Sequence, residues 1–281
     1  MDNDIVFVKT RYDYQSYTDY WTLVQLAGFP ICYVDEIDKD DGRYYIISPK
    51  NGEIDEYIAN NVPYLYDVKS KFILWNLERP GGSGSIEKYI SDNTKLLDSH
   101  FHYIAVADKA MAKFGSFVYM PIGLEEDFCA ETITSQEKEY DLIHLSCYSD
   151  NRRELFLYPD TLKDSYKGYS VASNGWGVKR HNLLVKSKCM LNIHQDGHPF
   201  VEPLRFVVAI AYGLPIITEK CIDFGIYEKT FSGEVYPILL NDIHDAMLNY
   251  PVLYDRALGY REYFLHSYNY RHVIESAVYN I

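Results

Sequence analysis

Glu202 and Arg205 stand one helical turn apart, just after the polar run His194-Gln195-Asp196-Gly197-His198. A carboxylate, a guanidinium and two imidazoles in so short a span can grip an anion, accept from hydroxyl groups and hold a proton. The surrounding residues dictate where that chemistry sits. Cys189 to Ile193 is an apolar strand, and Pro203 suits the first position of a helix. Leu204, Val207, Val208 and Ala211 recur on one helical face, Gly213 supplies a left-handed stop, and Pro215 to Thr218 forms the next strand. The charged residues therefore gather at a helix N-terminus beyond a strand end. Alternating α/β folds bind ligands there, and the free amides and helix dipole favour phosphate. The plainer alternative for Glu202 is a first-turn acid complementing the dipole, worth about 0.3–1 kcal/mol. For Arg205 it is a surface i,i+3 ion pair.

Other segments offer partners for such a site. Arg152 and Arg153 follow the strand Asp141 to Ser146, and a guanidinium can take two oxygens of a diphosphate at once. The loop Asn76 to Ser85 follows the strand Lys71 to Trp75 and cannot be helical. It carries Glu78, a candidate general base, Arg79, a candidate phosphate ligand, and Gly82 among glycines that permit close approach. Gly81 to Gly84 lacks the Gly-Lys-Ser/Thr of a P-loop. Lys9, Arg11 and Tyr12 follow the first strand. Two metal readings are weak. Asp38-Lys39-Asp40 lies among further acids in a turn closed by Gly42, and His194, His198 and Asp196 lack another ligand cluster. No metal site is expected.

The elements that must position these residues alternate. In the first half, strands are expected over 5–9, 31–34, 44–47, 71–75, 103–106 and 117–120, with helices over 19–27 and 86–97. In the second half, strands are expected over 141–146, 169–172, 189–194, 215–218 and 234–240. Helices are expected there over 151–164, 179–188, 203–212, 241–250 and 252–265, with a last one over 266–281. Strand–helix alternation argues parallel, doubly wound sheets. The polar, poorly periodic run 125–140 reads as a linker. The expected domains are 1–124 and 125–265, with 266–281 returning to the first.

Composition narrows the function classes. The chain has 281 residues and a net charge of -13, which does not suit general binding to nucleic acid or anionic membrane. Its five cysteines are scattered without C-x-x-C spacing, so neither a disulfide framework nor zinc is indicated, and a reducing, cytoplasmic setting follows. The acidic N-terminus is unlike a signal peptide, and no apolar run approaches the roughly 18 residues that span a bilayer. The 28 tyrosines are unusual. They suit stacking on sugar faces, or reflect coding bias.

The segment EPLRFVVAIAYGLPIITE resembles the donor-site segment of GT-B glycosyltransferases, of the form E-P-x-x-x-x-x-x-E-A-x-x-x-G-x-P-V-I. Asp141 to Ser146 followed by Asn151-Arg152-Arg153 is similar to the opening of that family's C-terminal domain. Val106-Ala107-Asp108-Lys109 with Met120-Pro121-Ile122-Gly123 is similar to the close of its N-terminal domain. The resemblance implies an α/β fold of two Rossmann-like domains facing a cleft. It also implies transfer of a sugar from a nucleotide-sugar, such as a UDP-sugar, to a hydroxyl acceptor, without metal or other cofactor. Glu202, Glu78 and His194 would then be catalytic. Ser146, Arg152, Arg153, His198, Leu204 and Arg205 would hold the donor, with Lys9, Tyr12, Asn76, Arg79 and Gly82 on the acceptor side. The acceptor would be a glycan. A virus-encoded enzyme acting on 5-hydroxymethylpyrimidine DNA is one alternative, and a non-catalytic sugar-nucleotide or glycan-binding protein is another. One feature departs from the family, whose second glutamate commonly holds the ribose. Counted forward from Glu202 that position is Ile210, and counted back from Gly213 it is Val208. Neither is acidic.

Overall fold

The computed structural model describes residues 4–9, 17–48, 68–77, 87–88, 90–91, 101–115, 117–131, 133, 137–145, 166–171, 177–194, 200–227 and 240–281. They form two compact units. One comprises Met1–Gly123 with Asn269–Ile281, the other Leu124–Tyr268.

The first unit contains strands β1 (Ile5–Lys9), β2 (Ile31–Tyr33), β3 (Tyr44–Ile47), β4 (Lys71–Asn76), β5 (Tyr103–Val106) and β6 (Val118–Tyr119). They pair in the order β2-β1-β3-β4-β5-β6, all parallel. Parallel strands are covered on both faces, so they read as unbroken apolar runs. Phe72, Ile73, Leu74 and Trp75 are all buried. Helix α1 (Thr18–Leu26) and the short α2 (Lys109–Gly115) belong to this unit. Its core is aromatic: Trp75 lies 6.3 Å from Phe7, 5.6 Å from Tyr20 and 6.5 Å from Tyr270, ring centre to ring centre. The indole N–H donates to Met120 O at 2.9 Å, which satisfies the polar atom of the largest buried side chain.

The second unit is built on β7 (Tyr140–Leu145), β8 (Gly168–Val171), β9 (Ser187–Asn192) and β10 (Ile216–Thr218), ordered β10-β9-β7-β8 and again parallel. Helix α3 (Val178–Val185) precedes β9, and α4 (Pro203–Ala211) joins β9 to β10. Every residue from Phe206 to Ala211 is buried. Helices α5 (Leu240–Leu248) and α6 (Tyr250–Ser267) follow. Ile243, Ala246, Tyr250 and Tyr254 pack with Leu142, Cys189, Leu191, Ile193 and Ile217.

Most element boundaries fall within two residues of the sequence reading, and three differences are larger or change the element's type. The helix expected to reach 188 ends at Val185, and β9 starts at Ser187, which pairs with Tyr140. Ser187 Oγ donates to Leu183 O at 2.7 Å and ties the turn between them. Leu240, expected to end a strand, opens α5, while the rest of that strand lies outside the described residues. The final helix does not begin at 266. His266 and Ser267 finish α6, and α7 (Tyr270–Tyr279) starts after Asn269. Asn269 Oδ1 accepts from the amide of His272 at 3.2 Å, a side-chain cap that fixes a new helix start. The expected helices 151–164 and most of 86–97 also lie outside the described residues, although 87–88 and 90–91 are helical.

Among the described residues, tyrosines are divided between core and surface. Tyr17, Tyr20, Tyr45, Tyr227, Tyr250, Tyr254, Tyr260 and Tyr270 are buried, whereas Tyr33, Tyr263 and Tyr279 are exposed. Among the described residues no helix is long and apolar enough to cross a membrane.

Candidate functional site

In an open parallel sheet, ligands bind beyond the carboxyl ends of strands, where the strand order reverses. In the second sheet the reversal lies between β7 and β9. Asn192 ends β9, His194 lies just beyond it, Thr218 ends β10, and α4 starts directly after Glu202. The structure brings all of these together.

Arg205 Nη1 is 2.9 Å from Glu202 Oε1 and donates to Asn192 Oδ1 at 2.8 Å. Asn192 Nδ2 donates to Thr218 Oγ1 at 3.0 Å, and Thr218 Oγ1 donates to Glu219 O at 3.0 Å. Asn192 and Thr218 are fully buried, while the Arg205 side chain keeps 20% of its exposure and Glu202 12%. Glu219 folds back, and its Oε2 accepts from the His194 amide at 2.6 Å. The His194 ring is buried between two groups: Nδ1 is 3.6 Å from Glu202 Oε2, and Nε2 is 3.8 Å from Cys221 Sγ. The carboxylate of Glu202 is thus shared between a guanidinium and an imidazole.

Helix α4 adds one donor. The amides of Arg205 and Phe206 close onto Glu202 O at 3.0 and 3.3 Å. The Leu204 amide is the helix-start donor that no described residue engages. Of the expected pair, only Leu204 therefore offers a backbone N–H, and Arg205 contributes its side chain. Among the described residues, the Nε–Nη2 edge of that guanidinium carries no hydrogen bond, since both contacts fall on Nη1. A planar edge with two donors matches two phosphate oxygens.

The positions where the family's second glutamate was sought, Val208 and Ile210, are both buried within α4. Asn192, Thr218 and Glu219 are not singled out by the sequence, which marks Cys221 only as a buried thiol beside an apolar strand, as it is. Their signal was weak: a polar residue closing each of two apolar strands, with Thr218 paired to Asn192 only through the parallel register.

On the first unit, Lys9 ends β1 with its ammonium 5.6 Å from the Trp21 ring centre. Asn76 ends β4 and is buried. Asp108, beyond β5, caps α2 by accepting from the Met111 amide at 2.8 Å. The Asp38–Asp41 segment is a turn: Asp40 N donates to Asp38 Oδ1 at 3.0 Å, and Asp41 accepts from Tyr45 Oη at 2.7 Å and Ser70 Oγ at 2.9 Å. Burial pushes the Asp41 carboxyl up, but the donors from Arg43, Tyr45 and Ser70 outweigh it and hold the group below its ordinary value. Glu78, Ser146, Arg152, Arg153, His198, Tyr12, Arg79 and Gly82 lie outside the described residues. Among those described, no group of three or more His, Cys, Asp or Glu side chains is arranged to hold a metal ion.

No family model matches the sequence, and no curated protein does. Solved structures do match. Anabaena HepE, seen in complex with UDP and glucose, superposes with a TM-score of 0.60 over 99% of this chain and 99% of its own, at 8% identity. AviGT4, a glycosyltransferase involved in avilamycin A biosynthesis, gives a TM-score of 0.55 at 11% identity, over 98% of this chain and 96% of its own. TarM gives 0.54 at 12% identity over 86% of this chain, which spans 55% of TarM's length. At such identities the likeness establishes the fold, and that fold, with its two parallel α/β sheets, is the GT-B fold.

Proposed function

We propose that this chain is a glycosyltransferase that moves a sugar from a nucleotide-sugar to a hydroxyl acceptor. The observation that carries the reading is the Glu202–Arg205–Asn192–His194 cluster beyond the carboxyl end of β9, the strand that borders the switch point of the second sheet. The Nε–Nη2 edge of Arg205 and the Leu204 amide would take the diphosphate, and Glu202 would accept from sugar hydroxyls. As the bond from the sugar's anomeric carbon to phosphate oxygen breaks, negative charge grows on the leaving diphosphate, and a fixed guanidinium stabilises it without reorganising. The new bond forms to the acceptor oxygen, whose proton passes to a base. Glu78 is the proposed base, with Arg152 or Arg153 as further phosphate ligands. HepE and AviGT4, as sugar-handling proteins of this fold, support the reading.

The donor is proposed as a UDP-sugar and the acceptor as a glycan, with no metal in the reaction and the cytoplasm as its setting. The test is a panel of UDP-, GDP- and dTDP-sugars with EDTA present, scored for slow hydrolysis and for transfer to oligosaccharides and to 5-hydroxymethylpyrimidine DNA. Transfer to oligosaccharide in EDTA is the expected result. Transfer to DNA alone would replace the acceptor, and rescue by manganese after loss in EDTA would overturn metal independence. The buried apolar Val208 and Ile210 favour one second reading, a non-catalytic sugar-nucleotide-binding protein. Nucleotide-sugar binding without turnover on any acceptor would select it.

A further inference from the structure

Arginine cannot accept a hydrogen bond, so the Asn192 oxygen must face Arg205 Nη1 at 2.8 Å. The amide nitrogen is then forced toward Thr218 Oγ1 at 3.0 Å, and that oxygen must accept. The Thr218 proton is left one outlet, the backbone carbonyl of Glu219, also at 3.0 Å. The chain has a single polarity from end to end: Arg205 to Asn192 to Thr218 to Glu219 O. Two of its members are fully buried, where no water competes for them. Glu219 is itself fixed, since its amide donates to Asn192 O at 3.2 Å and its carboxylate takes the His194 amide.

We propose that Asn192 and Thr218 are positioning residues for Arg205, a one-way relay that orients its guanidinium for the donor diphosphate. The proposal rests on the donor-site reading above. Glu202 supplies charge but a swivelling contact, a single oxygen on a single nitrogen. Asn192 supplies the second point on the same nitrogen and so sets the plane of the fork. A neutral amide does this without cancelling the positive charge, which a second carboxylate would cancel.

Binding of UDP and GDP, measured calorimetrically, tests it with thermal melting alongside. Thr218→Val removes the acceptor and leaves the Asn192 amide held at its oxygen alone, free to swing about that contact. Affinity is expected to fall about 10-fold, the scale of a lost hydrogen bond to a charged group. Thr218→Ser keeps the hydroxyl and is expected to restore binding. Asn192→Asp preserves size but adds charge, and is expected to weaken nucleotide binding more than Thr218→Val while the melting temperature holds. On an Arg205→Ala background, Thr218→Val is expected to cost nothing further. Wild-type affinity in Thr218→Val, or equal losses in Thr218→Val and Thr218→Ser, would overturn the relay and leave the donor-site reading standing. If Thr218→Val proves unfolded, Asn192→Asp decides, and unchanged affinity there overturns the relay. Failure of the wild type to bind either nucleotide would sink the donor-site reading itself, and the relay with it.

Discussion

In the first sheet the strand order reverses between β1 and β3, whose ends carry Lys9 and Ser48. In the second it reverses between β7 and β9, and β9 ends in Asn192. Both edges follow the same geometric rule, yet they are furnished differently. On the first, Lys9 lies over an indole, Asp108 is spent on a helix cap, and the rings of Tyr20 and Trp75 are fully buried in the core. On the second, a carboxylate, a guanidinium, an amide and a hydroxyl are joined by hydrogen bonds, with one guanidinium edge kept clear among the described residues. Topology selects where a site can be. The second edge is the one whose fixed charges suit a phosphate.

The largest expected effect comes from removing the charge that distinguishes the second edge. Glu202→Ala should cut turnover at least ~100-fold, the scale of a lost transition-state contact, with the melting temperature little changed. Undiminished turnover would erase the contrast between the edges. A smaller effect compares the glycines that stop a helix in each unit. Gly28 and Gly213 both hold positive φ, at 72° and 61°. A Cβ on Gly28 would come no nearer than 3.6 Å to another group, whereas one on Gly213 would meet Leu258 Cδ2 at 2.7 Å. Alanine should cost ~1 kcal/mol of unfolding free energy at Gly28 through φ alone, and more at Gly213, where Leu258 must also turn away. Equal losses in denaturant melts would show that Leu258 yields freely.

The smallest effects lie in pH dependence, and the two units should respond at opposite ends of the scale. Asp41, in the first, has a lowered carboxyl pKa. Its stabilisation is present above the unfolded value near 3.9 and lost as pH falls through the folded one. Lys138, in the second, is pushed down to about 8 by burial, although its ammonium donates to Val185 O at 2.7 Å. The folded state is penalised for keeping that charge below pH 8, and the penalty lifts as pH rises from there toward the unfolded value near 10.4. Hydrogen exchange should therefore show Lys138→Met losing the wild type's alkaline gain in β9, and Asp41→Asn losing the acid sensitivity of β3. Identical pH profiles for wild type and variant would remove either assignment.

The sheet architecture was legible because buried parallel strands announce themselves as apolar runs, as at Phe72 to Trp75, and because Pro203 and Gly213 bracket their helix by backbone chemistry. The Glu202–Arg205 pair was legible for the same local reason, one turn of helix. Asn192 and Thr218 were not. They lie 26 positions apart and meet only when two strands align in register. The break before the last helix was expected at 265–266 and lies at Tyr268–Asn269, because helical periodicity continues through His266 and Ser267 and the cap that sets the new start is a single side chain.

That break has a consequence for the order in which the protein is made. Helix α7 belongs with the first unit, yet all of the second unit precedes it in the chain. A ribosome that has delivered residues 1–123 has not yet delivered Tyr270, which packs 6.4 Å from Phe29 and 6.5 Å from Trp75, or Arg271, which donates to Ala27 O. Units fold as their residues emerge. The second is complete in sequence at residue 268, while the first, begun earlier, waits with an aromatic seam open until the final helix leaves the exit tunnel.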